Sequence, residues 1–107
     1  MSYELRYTTS ANRQFTELEK RDAAKHRKLV KCLRKLGEDP KQSGLNSHKY
    51  NSTTGPNGEE VWESYVENKT PAAWRVFWCY GPDEQQGVKP NIRVIKVITV
   101  VAITPHP

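Results

Sequence analysis

Arg75 stands inside Trp74-Arg75-Val76-Phe77-Trp78, a guanidinium in an otherwise aromatic and aliphatic stretch. Charged side chains are seldom buried without a partner. Arg75 therefore either pairs with a carboxylate, Glu63 or Glu67 being the acids on the preceding strand, or faces an open surface where its charge meets a ligand. Period-2 alternation puts Trp74, Val76 and Trp78 on one face and Arg75, Phe77 and Cys79 on the other. A guanidinium beside an aromatic ring suits a phosphate, which it can hold bidentately while charge develops during phosphoryl transfer. His106, just past the last apolar run, is of the type that moves protons near neutrality. The alternative is a solvated histidine near the chain end.

A second set of cations lies upstream. Lys25, Arg27, Lys28, Lys31, Arg34 and Lys35 follow Asp22 in a segment of helical period. Such a face attracts phosphates without sequence preference; equally, its cations can complement the negative end of the helix dipole. His48 and Lys49 add charge in a short segment among turn residues. Trp62, Trp74 and Trp78 are assigned to the core. Cys32 and Cys79 are isolated thiols, so neither a disulfide nor a metal site is expected, and a reduced, cytoplasmic compartment is the default. No stretch approaches the roughly 18 apolar residues needed to cross a bilayer, so no membrane role is expected. There is no phosphate-cradling glycine loop, zinc spacing or Ser/His/Asp order, and no cofactor is implied.

The elements that must position these groups follow from periodicity. The chain has 107 residues, the size of one domain, 1–107, and carries 17 Lys and Arg against 12 Asp and Glu, a net charge of +5. Tyr3, Leu5 and Tyr7 alternate with polar residues as a short strand does. Ser10 is the expected N-cap of a helix through Ala11, Phe15 and Leu18. Asp22 is the expected cap of a second helix carrying Leu29, Leu33 and Leu36, widened by Val30 and stopped by Gly37 and Pro40. Ser47–Tyr50 is a candidate short strand, and Thr54–Gly58 reads as a turn. Strands are expected at Val61–Glu67, Ala73–Tyr80 and Ile92–Ile103, the last central in its sheet, with a polar loop over Gly81–Pro90. The predicted fold class is α+β: an N-terminal strand and helical hairpin packed on a single, mainly antiparallel sheet of four to five strands.

Taken in order, these segments resemble the RelE/ParE superfamily of bacterial type II toxins. The resemblance rests on the strand Tyr3–Tyr7, a helical hairpin ending in Leu36-Gly37-Glu38-Asp39-Pro40, and Leu45-Asn46-Ser47-His48-Lys49-Tyr50. It continues through Val61-Trp62-Glu63-Ser64-Tyr65-Val66, Trp74–Trp78 and a terminal apolar strand ending in a histidine. It implies a toxin neutralised by a cognate antitoxin. In the RelE-like branch the toxin is a metal-independent endoribonuclease cutting mRNA on the ribosome; in the ParE-like branch it inhibits DNA gyrase without enzymatic activity. A degenerate member would only bind its antitoxin. On the ribonuclease reading, Arg75 matches the strand arginine that supports the scissile phosphate, and His106 the C-terminal basic residue serving as acid or base. Glu63 or Tyr65 is then the complementary proton acceptor, on a middle strand where ribonucleases of the family carry lysines. Lys49, with His48, Lys28 and Lys31, would contact RNA. The sequence also ends before the short tail that often carries a catalytic tyrosine.

Overall fold

The first helix begins at Thr8. This residue leaves a strand in extended conformation, and its Oγ1 accepts a hydrogen bond from the Ala11 N–H at 3.1 Å, satisfying one of the donors that a helix start leaves open. The cap thus falls two residues before Ser10. In the computed structural model, which describes residues 2–68, 70 and 72–105, β1 spans Glu4–Tyr7, α1 Thr9–Arg21 and α2 Ala23–Glu38. Asp22 alone joins the helices. Its N–H closes α1 on the Leu18 carbonyl at 2.9 Å, and its carboxylate accepts the Lys25 N–H at 3.0 Å to open α2. Gly37 does not stop α2. It lies in the last turn, where its carbonyl accepts the Tyr3 N–H at 2.7 Å, and a Cβ there would stand 3.3 Å from the Tyr3 carbonyl oxygen. The stop falls at Asp39, which is extended, the conformation favoured before a proline.

Beyond α2 come β2 (His48–Thr54), β3 (Glu60–Tyr65), β4 (Trp74–Tyr80), β5 (Glu84–Gln86), β6 (Arg93–Ile95) and β7 (Val97–Pro105). Five of the strands form one sheet in the order β1-β7-β4-β3-β2. Its pairs are antiparallel except β1 with β7, which run parallel. The fold is α+β, and β7 is interior, as its apolar character requires. The expected polar loop after Gly81 instead contains a two-stranded ribbon, β5 paired with β6, which cuts the last predicted strand at Lys96. Glu84-Gln85-Gln86 buries no face, so it carries no strand periodicity. Asp83 anchors the break, accepting the Val97 N–H at 3.1 Å and pairing with Lys96 at 3.2 Å, while Arg6 grips Glu84 through two hydrogen bonds.

The two sheet faces differ. Leu18, Leu29, Leu33 and Leu36 of the helices pack on Val76, Trp78, Ile98, Val100 and Ile103. Val30 takes no part and is exposed. On the opposite face a smaller cluster joins Val61, Phe77 and Cys79 to Tyr50, Val101 and Ala102. The alternation read from Trp74–Trp78 therefore holds. A bulge in β7 lets Val101 and Ala102 serve the same face: Phe77 pairs with Ala102 and Trp78 with Val100, leaving Val101 as the extra residue.

Trp78 is fully buried, so its indole N–H needs an acceptor. It donates to Ser64 Oγ at 2.8 Å, Ser64 meets Ser47 Oγ at 2.7 Å, and Ser47 donates to the Pro40 carbonyl. Each hydroxyl in this chain can accept one bond and donate the next. The chain ties the end of α2 to the start of β2, to β3 and to β4. Ser64→Ala strands the indole N–H and should cost about 1–3 kcal/mol. Urea unfolding measures it; a loss below 0.5 kcal/mol, roughly the effect of a neutral surface change, would show that the chain does not hold the sheet together.

Candidate active site

The smaller face of the sheet collects the polar residues of interest. Register places His48 opposite Glu63, Tyr65 opposite Arg75, and Arg75 opposite Thr104, across four adjacent strands. Cross-strand partners share a face. Tyr65, Arg75 and Thr104 thus form one row, and His48, Glu63, Phe77 and Ala102 form the row beside it on the same face, with Tyr50 one step further along β2.

Arg75 is only 8% exposed, although it lies on the face away from the helices. Its guanidinium stands 3.7 Å from the centroid of the Tyr65 ring, a cation–π contact that strengthens when desolvated. Nη1 donates to the Glu67 carbonyl at 2.8 Å and the Trp74 carbonyl at 3.1 Å. Nε is buried with no hydrogen-bond partner among the described residues. The carboxylates considered as salt-bridge partners have other engagements. Glu67 meets Lys25 and Lys28, each at 3.6 Å, and accepts the Trp74 N–H. Glu63 meets His48. Arg75 is thus a buried cation held by two carbonyls and a ring, with its Nε–H left without a partner among the described residues.

His48 and Glu63 form the second part. His48 Nε2 lies 2.7 Å from Glu63 Oε1, and His48 Nδ1 lies 2.7 Å from the Asn46 carbonyl oxygen. A carbonyl only accepts, so the Nδ1 contact is a hydrogen bond donated by the imidazole. The Nε2 contact joins that imidazole to a buried carboxylate. Glu63 is buried while His48 is half exposed, so the imidazole is the member that a ligand can reach. Its ring also meets the Tyr65 ring edge-on at 5.8 Å between centroids.

The other residues singled out lie elsewhere. Lys49 is the register partner of Trp62, and its Nζ sits 5.9 Å from that ring and 3.3 Å from Glu60. Trp62 stacks on core residue Trp78, so Lys49 belongs to the helix side of the sheet, away from Arg75. Lys28 and Lys31, with Lys35, line a cleft of about 210 Å³ against Tyr65 and Val66, bringing the basic helix to one end of the row. β7 runs past Thr104 to Pro105, opposite Trp74; His106 lies outside the described residues. Both cysteines are buried and free; burial pushes the Cys32 thiol up to about 12 and raises that of Cys79, which does not favour a thiolate nucleophile. Among the described residues, no three His, Cys, Asp or Glu side chains gather as a metal-binding group. No helix is long and apolar enough to cross a membrane.

Sequence reasoning singled out Arg75, Glu63, Tyr65 and His48 but not the bond between His48 and Glu63. Counting back from the turn misses it, because the pairing slips between Thr54–Glu60 and Tyr50–Val61.

No protein-family model matches the chain, and no curated protein does. Solved structures do. A YoeB/ParE toxin from Agrobacterium tumefaciens superposes with a TM-score of 0.65 at 12% identity, over 97% of this chain and 99% of that one. A YoeB dimer from Staphylococcus aureus gives 0.63 at 11% identity over the whole of both chains. The archaeal RelE–RelB complex from Pyrococcus horikoshii gives 0.58 at 14% identity, over 98% and 96%. At such identities what is shared is the backbone architecture: the chain has the fold of the RelE and YoeB/ParE toxins.

Proposed function

We propose that this chain is the toxin of a type II toxin–antitoxin pair and acts as an endoribonuclease on ribosome-bound mRNA. The observation that carries this reading is Arg75: a buried guanidinium with an unpartnered Nε, one strand away from a histidine–carboxylate pair. Cleavage through the 2′-hydroxyl needs a cation for the phosphate, a base for the hydroxyl and an acid for the leaving oxygen. O2′ attacks phosphorus and the P–O5′ bond breaks. The products are a 2′,3′-cyclic phosphate and a 5′-hydroxyl, and no metal is needed. Arg75 balances the charge of the phosphorane. The His48–Glu63 pair exchanges a proton with the RNA, and His106 supplies the complementary acid or base. Tyr65 holds the guanidinium flat and so positions it. Lys28 and Lys31 draw the RNA backbone towards the row, while Lys49 steadies the β2 edge.

The similarity to a toxin solved with its antitoxin supports a protein partner, and the chemistry of this chain supports an acidic one working in the cytoplasm. Arg27, Lys31 and Arg34 are exposed on α2, a face that negative charge would be drawn to. On the alternative reading, of gyrase inhibition, Arg75 is a structural cation and the chain arrests growth with DNA damage instead of mRNA cleavage. A degenerate member that only binds its antitoxin would not arrest growth at all.

Arg75→Lys keeps the charge and loses the planar fork. It should melt within a few degrees of the parent yet lose growth arrest on induction; retained arrest would assign Arg75 to structure alone. His48→Ala and Glu63→Gln should each slow mRNA cleavage by about 10²-fold or more. Groups that act as a unit are non-additive, so the double variant should be no slower than the slower single one, whereas multiplying losses would separate the two residues. Arg27→Glu with Lys31→Glu should slow antitoxin association and flatten its dependence on salt. An association rate indifferent to both would place the antitoxin on another surface.

A further inference from the structure

Next to the Arg75 row the sheet face opens into a cavity of about 570 Å³. Its floor is Phe77, Val101 and Ala102, Tyr50 forms a wall, and hydroxyls including those of Thr53 and Thr104 stand around it. None of the lining residues is charged. Phe77 follows Arg75 by two residues on the same face of β4, a step of about 6–7 Å. Thr104 is the register partner of Arg75, and Tyr50 follows His48 by two. Phe77 and Ala102 share a cross-strand row with His48 and Glu63, so the cavity is the neutral end of that row, one step along β4 from Arg75.

We propose that this cavity receives the base of the nucleotide adjoining the phosphate held by Arg75, and so selects where the RNA is cut. The proposal rests on the ribonuclease reading and adds a specificity site to it. A phosphate has no cation to meet there. A base has an apolar ring for the floor and a polar edge for the hydroxyls, the combination that small-molecule sites of about 300–1,000 Å³ provide. The β7 bulge creates the floor, because it turns both Val101 and Ala102 to this side. Ala102 is the deciding residue. It lies opposite Phe77, and a larger side chain at that position fills the space a base would occupy. Tyr50 meets Phe77 with ring centroids 4.9 Å apart, which fixes the wall.

The test is binding of uncleavable 2′-O-methyl tetranucleotides to the whole chain, with one base removed at each position in turn, measured by fluorescence anisotropy. A lost base contact is worth about 1–3 kcal/mol, so the parent should bind at least fivefold more weakly when one particular base is missing. Ala102→Leu should melt normally and erase that difference, binding intact and abasic oligomers alike. Thr53→Tyr, which narrows the mouth from an exposed position, should do the same if Ala102→Leu fails to fold. Equal sensitivity at every position, or a base preference that survives a filled cavity, would overturn the proposal. So would filled variants that lose only antitoxin binding, since the cavity would then anchor a protein side chain. Cleavage on ribosomes is scored separately. Parent protein that cuts mRNA without base-dependent binding defeats the cavity assignment alone, while base-dependent binding without cleavage supports the cavity and defeats the ribonuclease reading.

Discussion

The rows of polar side chains depend on the hydrogen-bond chain that begins at the buried indole of Trp78 and passes through Ser64 and Ser47 to the Pro40 carbonyl. β2 is an edge strand, exposed along most of its length, and its pairing with β3 is regular only from His48 to Tyr50. Little apolar burial fixes its register. A slip of one residue would turn every side chain of the strand to the other face, moving His48 from Glu63 to the helix side and bringing Lys49 into its place. Ser47 and Ser64 adjoin His48 and Glu63 in sequence, so the bond between the two hydroxyls holds that pairing in place. A core interaction on one face thereby sets the chemistry of the other.

Arg75 shows how the same constraint shapes the site's electrostatics. A buried cation is costly unless it is paired, yet its immediate supports are two backbone carbonyls and the Tyr65 ring. Such partners hold the guanidinium without the bidentate grip of a carboxylate, and the proposed phosphate contact draws on that. Glu67, the carboxylate nearest in sequence to this turn, instead ties Lys25 and Lys28 of α2, which keeps it from collapsing onto the guanidinium.

Much of this was legible in the residues. Trp74 to Trp78 sorts cleanly into two faces because the sheet has a helix-covered side and an open one, and Asp22 announces the start of the second helix because its carboxylate can accept a first-turn N–H. The resemblance to the RelE/ParE toxins rested on the order of such segments, and the fold has that order. What escaped had no periodic signature. The β5–β6 ribbon buries neither face, so its residues read as loop. The bulge at Val101 inserts one residue into an apolar run where any register looks alike. Thr8 displaced Ser10 as the cap because the helix starts directly after the strand, at Thr9. The site was half visible: Arg75 stands out as a charge among aromatics, but the bond between His48 and Glu63 depends on a register slip that composition cannot encode. Lys49, next to His48, looks equivalent to it in sequence yet faces the other way.

The central claim is that the Arg75 row, with the His48–Glu63 pair beside it, catalyses attack of a ribose hydroxyl on its neighbouring phosphate. The most direct measurement is the chemistry of the RNA ends produced when purified protein is added to translating ribosomes. The account predicts fragments bearing a 2′,3′-cyclic phosphate and a 5′-hydroxyl, produced by the parent protein and lost in Arg75→Lys. Intact mRNA under those conditions, with DNA breaks trapped on gyrase in the same cells, would contradict it.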